Sequence, residues 1–357
     1  MNNQQMTIPG EYLISGESTV REAMKHMDQA SKKTLFLIDS AGKLLSSLSD
    51  GDVRRCILAG GALDTVIETI VNNNPIWVEQ DFDLENVKKL MITKKIEYIP
   101  VVNKEKKVVK ILAWDEVFTN LPQPVKENID VPVIIMAGGK GTRLDPFTKV
   151  LPKPLIPING RPIIEIIMEK FANFGVKEFY ISIGHQARMI KAYFAEGELP
   201  HKIKFIEETK PLGTAGALAF LKGQIKNDLL VTNCDIIIDG DYSEMLDFHR
   251  KNNNQITVIG SYRQYIIPYG VCEIENGGKV KDIIEKPEYD FWVNTGFCIV
   301  NGAVLRRIPD DHFYLMTDLI KDCLRNNDKV GLFPISEKSW IDIGQWKEYK
   351  KGVEQLS

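Results

Sequence analysis

An apolar run, Val133-Ile134-Ile135-Met136, leads through Ala137 into Gly138-Gly139-Lys140-Gly141-Thr142-Arg143-Leu144-Asp145-Pro146, and Pro152-Lys153-Pro154 follows closely. A glycine-rich turn leaving a strand lets backbone N–H groups approach an anion. Arg143 and Lys153 add fixed positive charge, and the combination suits phosphate. The spacing excludes two common phosphate motifs. Gly139 and Gly141 lack the third glycine of G-x-G-x-x-G, where Leu144 stands, and Gly139-Lys140 is followed by Gly141 rather than the Ser or Thr of a P-loop.

Two aspartates extend this chemistry. Asp235 closes Leu229–Thr232 as Asn233-Cys234-Asp235, and Asp342 lies within Trp340-Ile341-Asp342-Ile343-Gly344. A carboxylate at the end of a buried strand needs a cation or hydrogen-bond donors. Two of them could hold one Mg²⁺, whose remaining ligands would be phosphate oxygens. Read singly, each aspartate is equally a helix cap or a partly exposed side chain. Leu212-Gly213-Thr214-Ala215-Gly216 is expected to open a helix at Ala217, a setting for close contact with a nucleotide or sugar. Glu285-Lys286-Pro287 and Asn294-Thr295-Gly296 complete the polar set, although in isolation both read as surface turns. No His/Cys cluster has zinc spacing, and no G-x-S-x-G elbow occurs.

These residues need elements to position them. From Val133 onward, strands expected at Phe179–Ile183, Ile203–Glu207 and Leu229–Asn233 alternate with helices. Pro162 opens one helix, with apolar Ile163, Ile164, Ile167, Met168, Phe171 and Phe174 three and four apart, and Gly175 ends it. This rhythm predicts an α/β fold with a Rossmann-like, mainly parallel sheet, whose ligands bind at the carboxyl ends of the strands. The glycine run and Asp235 both stand at such ends.

Residues 17 to 120 carry an internal repeat of helix, strand, turn, strand, helix. Its strands are expected at Thr34–Ile38 and Lys43–Leu48, then at Tyr98–Val102 and Val108–Leu112. One copy could hardly bury its apolar faces alone, so the two should pack together. Residues 121–131 read as a polar linker with two prolines and no periodicity, dividing the chain into 1–120 and 132–357.

Composition bounds the function. The chain has 357 residues, 44% hydrophobic and 26% charged, with net charge −3. No basic surplus points to nucleic acid, and no apolar stretch reaches membrane-spanning length. The first residues show no signal-peptide pattern. Five scattered cysteines, none in C-x-x-C spacing, read as free thiols, so a cytoplasmic protein is expected.

The C-terminal two-thirds, about residues 132 to 350, resembles the sugar-1-phosphate nucleotidylyltransferases in seven motifs taken in order, from the glycine loop to Asp342-Ile343-Gly344. The resemblance implies that Arg143 and the loop positions Ala137, Gly138, Gly139, Gly141 and Thr142 hold the phosphates of an NTP, with Gly213 and Thr214 also against the nucleotide. It further implies that Lys153 bridges the reacting phosphates and that Asp235 and Asp342 bind Mg²⁺. Glu285, Lys286, Asn294 and Thr295 would contact a sugar 1-phosphate. The first third resembles a CBS-domain pair, or Bateman module, an α+β unit that would regulate or dimerise. There Ser49 and Asp52 match a Ser/Thr-x-x-Asp site for an adenine nucleotide, or simply cap the following helix. Ala113 and Glu116 depart from that pattern in the second copy. A CBS pair ahead of this domain resembles the guanylyltransferases of bacterial surface-sugar pathways, including those that activate glucosamine 1-phosphate for legionaminic acid synthesis.

A sugar-phosphate oxygen is already anionic, so its attack on the NTP α-phosphorus needs positioning and charge neutralisation rather than a general base. Glu208 lies where it could meet the base; a carboxylate accepts from both N1–H and N2–H₂ of guanine, which favours GTP. CTP, UTP or dTTP as donor and a catalytically silent nucleotide-sensing subunit are the competing readings. A homo-oligomer is expected from the CBS pair.

Overall fold

The computed structural model describes residues 10–30, 32–94, 96–117, 128–196, 201–337 and 339–355. The chain divides into two compact units, Met1–Pro124 and Val125–Ser357. Most of the expected linker, residues 121–127, and Phe118 lie outside the described residues. Ile129 and Val131, expected in that linker, are 3% and 5% exposed and pack into the core of the second unit, with the Ile129 N–H donating to Phe174 O at 2.7 Å.

In the first unit each repeat is a three-stranded sheet with two helices. Leu13–Ile14 runs parallel to Thr34–Ile38, which pairs antiparallel with Leu44–Ser49. Val78–Glu79, Tyr98–Val102 and Val108–Ala113 repeat the pattern. Helices Val20–Ala30 and Asp50–Leu58 belong to the first copy, Leu84–Lys94 and Trp114–Val117 to the second. The leading strands Leu13–Ile14 and Val78–Glu79 were not foreseen; at two residues each they carry no periodicity to read. The copies join where the Leu44 N–H donates to Lys106 O (2.9 Å) and the Val108 N–H to Gly42 O (3.1 Å). Tyr12, Phe36, Leu44, Val102, Val108 and Ile111, drawn from both copies, form one shared core.

The second unit is built on a seven-stranded sheet ordered Lys202–Glu207, Glu178–Ile183, Val133–Ala137, Asp228–Asn233, Glu288–Asn301, Ile256–Ile266, Val330–Ile335. Only Glu288–Asn301 runs antiparallel to its neighbours, so the mainly parallel sheet is observed. Val133–Ala137 is buried throughout, as a strand covered on both faces must be. Its alternate side chains serve two cores: Val133, Ile135 and Ala137 on one face, Ile134 and Met136 on the other. The expected helix is Ile163–Ala172, with Gly175 following at φ 83. From Val133–Ala137 the chain builds outward through two strands on one side, then returns to place Asp228–Asn233 on the other. Order reverses between these two strands, and the crevice beyond their carboxyl ends receives both Gly138 and Asp235.

Candidate active site

Past the buried Ala137 the chain turns at Gly138, where any Cβ would overlap the Glu208 carboxylate. Gly138 O accepts the His185 N–H at 3.3 Å. Gly139 is exposed with open space around it. Gly141 has φ 67, and a Cβ there would lie 2.8 Å from Thr148 Cγ2 and 3.0 Å from Lys153 Cβ, so the loop closes tightly over the base of Lys153. The Thr148 hydroxyl, 3.1 Å from Gly141 O and 2.7 Å from Asp145 Oδ1, fixes that closure. Lys140, Thr142, Arg143 and Lys149 are exposed on the loop. The three cations among them make no ion pair or side-chain hydrogen bond among the described residues. Unpaired cations around a glycine turn are what an incoming polyphosphate requires.

Lys153, Asp235 and Asp342 come together although they are far apart in sequence. A ribbon explains the aspartates: Ile236–Ile238 pairs antiparallel with Trp340–Asp342, setting Ile236 opposite Asp342. The Ile343 N–H then donates to Asp235 O at 2.9 Å, and the Gly344 N–H to Asp342 Oδ1 at 2.8 Å. The Lys153 ammonium is ion-paired with Asp235 Oδ2, and these side chains are only 18% and 13% exposed. A Cβ on Gly344 would lie 2.6 Å from Asp235 Oδ2, 2.9 Å from Asp342 Oδ1 and 3.6 Å from Lys153 Nζ, so the three charged groups converge on one point that only glycine leaves open. Burial lowers the pKa of Lys153, but the charge and hydrogen bond of Asp235, with Asp342, outweigh it and hold the value above that of an ordinary lysine. Burial, reinforced by the Asp235 charge, lifts the Asp342 carboxyl above its usual range against the Gly344 N–H and Lys153. Cys234, between these groups in sequence, is a buried thiol pushed up to about 12 by burial and is therefore inert.

The donor set fits Mg²⁺. Two adjacent carboxylates are hard oxygen ligands, and no group of three or more His, Cys, Asp or Glu among the described residues forms a complete cage. Mg²⁺ is usually bound this way, by one or two carboxylates, with water and substrate phosphates completing the octahedron.

Glu208 is partly buried beside Gly138, its Oε2 accepting the Leu212 N–H at 3.0 Å. The expected helix at Ala217 is a 3₁₀ segment, Gly216–Leu221, too short and irregular for a helix-dipole argument. Gly213, at φ 80, packs against the Tyr314 backbone, and Thr214 Oγ1 accepts the Met316 N–H at 2.9 Å, so its side chain anchors helix Met316–Arg325. Thr295 is 1% exposed and its hydroxyl donates to Ile259 O at 2.8 Å, so the side chain turns into the core. Asn294 Oδ1 accepts the Gly296 N–H (2.9 Å), and Gly296, at φ 85, lies against Asn233. Asn294-Thr295-Gly296 is therefore no surface turn but part of the strand Glu288–Asn301, and Gly296 brings it alongside Asn233, which leads to Asp235. Glu285 and Lys286 are exposed beside the hairpin of Val271–Ile274 and Val280–Ile284, and no hydrogen bond or ion pair ties them to the Lys153 cluster among the described residues.

Sequence reasoning missed Ser182, whose hydroxyl donates to Glu208 Oε1; a lone polar residue in an apolar strand was the available signal. It also missed Arg263, which stacks 4.7 Å over Trp340 and pairs with Glu337 at 3.2 Å, bracing the strand that carries Asp342. All five cysteines are free, as expected.

In the first unit, Ser49 is the N-cap of Asp50–Leu58 and forms a capping box with Asp52, whose other oxygen pairs with Arg55 at 2.5 Å. In the second copy, Glu116 instead pairs with Lys110 at 3.3 Å.

Comparison with known proteins decides the family. The nucleotidyl transferase profile matches residues 132–357, well over half of the chain. The protein belongs to the nucleotidyl transferase family. A CBS-domain profile matches residues 67–122, which contain the second repeat. The chain is 30% identical over 230 residues to a probable mannose-1-phosphate guanylyltransferase 1 of Oryza sativa subsp. japonica, covering 62% of this chain and 63% of that protein. It is 39% identical over 222 residues to the bifunctional protein GlmU of Methanococcus maripaludis strain C5, covering 59% and 51% respectively. The alignments thus span less than two thirds of these relatives. Among solved structures, HddC from Yersinia pseudotuberculosis matches with a TM-score of 0.51 at 26% identity, covering 64% of this chain and all of that one. No helix among the described residues is long and apolar enough to cross a membrane.

Proposed function

We propose that this nucleotidyl transferase joins an NTP to a sugar 1-phosphate, giving an NDP-sugar and pyrophosphate. The observation that carries the reading is the convergence of Lys153, Asp235 and Asp342 on the space left by Gly344, beside a glycine loop with unpaired cations. A sugar-phosphate oxygen attacks the α-phosphorus, the bond to the β-phosphate oxygen breaks, and pyrophosphate carries the electron pair away. Two anions must meet, so electrostatics dominates. Loop amides and Arg143 hold the polyphosphate, and Lys153 stands at its reacting end to offset charge as it develops. Asp235 and Asp342 would hold Mg²⁺, which when bound supplies further neutralisation of phosphate charge.

The donor we assign is GTP and the acceptor glucosamine 1-phosphate or a related sugar 1-phosphate, in surface-glycan precursor synthesis. The Glu208 carboxylate supports guanine, because it can accept from both N1–H and N2–H₂. Relatives named mannose-1-phosphate guanylyltransferase are consistent with that base. The CBS pair would regulate or dimerise, with an adenine nucleotide as effector, which AMP, ADP or ATP added to the assay would reveal. The test is Mg²⁺-dependent pyrophosphate release with GTP, CTP, UTP, dTTP and ATP against glucosamine, mannose, heptose and glucose 1-phosphates. Turnover with GTP supports the reading. Turnover with a pyrimidine nucleotide refutes the base, and silence across the panel favours a non-catalytic nucleotide sensor.

A further inference from the structure

Ser182 is fully buried in the apolar strand Glu178–Ile183, where a hydroxyl needs a partner. Its partner is Oε1 of Glu208. The other carboxylate oxygen, Oε2, accepts the Leu212 N–H at 3.0 Å, and the Glu208 backbone N–H donates to Ile183 O at 2.8 Å. Gly138 and Gly184 close in on the same side chain: a Cβ on Gly138 would overlap the carboxylate, and one on Gly184 would lie 3.5 Å from Glu208 Cβ. The carboxylate is thus clamped at the first glycine of the phosphate loop. One donor sits on each oxygen, and each oxygen keeps acceptor capacity in reserve.

We propose that Ser182 is the positioning residue for base selection. With the Leu212 N–H it holds Glu208 so that both oxygens accept together from the N1–H and N2–H₂ of guanine. This rests on the guanylyl reading of the site. The chemistry discriminates on one edge of the base. Hypoxanthine keeps N1–H but lacks the N2 amine, so only a fixed, two-oxygen acceptor separates GTP from ITP. A site built around a substrate donor penalises the analogue that lacks it, because a buried acceptor is left unpaired. A carboxylate free to turn would still take N1–H and would lose that discrimination. Adenine offers an acceptor at N1, which a carboxylate repels.

The experiment measures kcat and KM for GTP and ITP, at saturating sugar 1-phosphate, in the wild type, Ser182→Ala, Ser182→Thr and Glu208→Gln, with a thermal melt of each. The wild type is expected to favour GTP over ITP by about tenfold or more in kcat/KM. In Ser182→Ala the KM for GTP rises about tenfold, kcat falls far less, and the GTP:ITP ratio drops toward one, as expected for loss of one charge-assisted hydrogen bond. Ser182→Thr, which keeps the hydroxyl, restores the ratio. If Ser182→Ala keeps the wild-type ratio while Glu208→Gln loses it, the Ser182 assignment is overturned and the guanine reading stands. A Ser182→Ala protein that merely melts earlier, with its ratio intact, overturns the assignment in the same way. A wild type indifferent between GTP and ITP overturns both, and the wild-type measurements alone show it.

Discussion

Gly344→Ala tests the geometry of the charged cluster in isolation. Gly344 does not adopt a left-handed backbone, so alanine brings no conformational strain and the effect is steric. The new Cβ would stand 2.6 Å from Asp235 Oδ2 and 2.9 Å from Asp342 Oδ1, whereas ordinary contact begins at 3.4 Å. Each carboxylate must therefore retreat by roughly half an ångström or more to escape repulsion. Neither moves freely, because Asp342 Oδ1 accepts the Gly344 N–H at 2.8 Å and Asp235 is ion-paired with Lys153. Misplacement of reacting groups by about 1 Å can cost about 100-fold, so a shift of this size predicts a fall in kcat of roughly 10- to 100-fold. The Mg²⁺ concentration for half-maximal rate should rise roughly tenfold as the carboxylates are displaced. Overpacking costs about 1–3 kcal/mol, and a partly open site should fall at the low end. The assay is pyrophosphate release titrated with Mg²⁺, alongside a circular-dichroism melt. A folded variant with kcat and Mg²⁺ dependence within twofold of wild type would refute the reasoning.

Three further substitutions probe other parts of the account. Lys153→Ala should lower kcat by about 100-fold or more if, as proposed, it removes the cation at the reacting phosphates, and near-wild-type turnover would sink that assignment. Gly141→Ala places a side chain at φ 67 against Thr148 and Lys153; unfolding in urea should show about 1–3 kcal/mol lost, with a higher KM for the NTP. Asp228 tests pH linkage. The His249 ring, and Arg250 at 2.9 Å, hold its carboxyl below the ordinary value against burial. The native state then binds fewer protons here than the unfolded chain, so this stabilisation is whole above the unfolded pKa of about 3.9 and is lost as pH falls through the lower folded value. Asp228→Asn should therefore lose about 1–3 kcal/mol at neutral pH, with the deficit shrinking in acid; a deficit independent of pH would count against the linkage.

The sequence made strands and the glycine loop legible where a local rule applies. Val133–Ala137 announced itself by its unbroken apolar run, and Ile163–Ala172 by its spacing and by Pro162. The glycine loop was readable from residue types, and at Gly141 it closes over Lys153 as a tight turn at φ 67. What was not legible depended on partners distant in the chain. Thr214 and Thr295, expected against the nucleotide and the sugar phosphate, also bond within the fold to the Met316 N–H and Ile259 O, partners that no local pattern announces. The segment after Leu212 has helical composition, yet packing against Tyr314 leaves only a 3₁₀ stretch. Asp235 and Asp342 were read together as one cation site, but the ribbon that joins them, with Ile236 opposite Asp342 across about a hundred residues, is in no local pattern. Ser182 was passed over because its hydrogen-bond partner, Glu208, lies just past the end of the neighbouring strand Lys202–Glu207 and is out of reach of any local pattern.

The most direct test of the central claim follows the oxygen that forms the new bond. Sugar 1-phosphate carrying ¹⁸O at its non-bridging phosphate positions is incubated with unlabelled NTP and Mg²⁺, and the products are read by ³¹P NMR and mass spectrometry. Attack on the α-phosphorus predicts label in the oxygen bridging the two phosphates of the NDP-sugar and none in the pyrophosphate. Labelled pyrophosphate, or a bridge without label, would contradict the account.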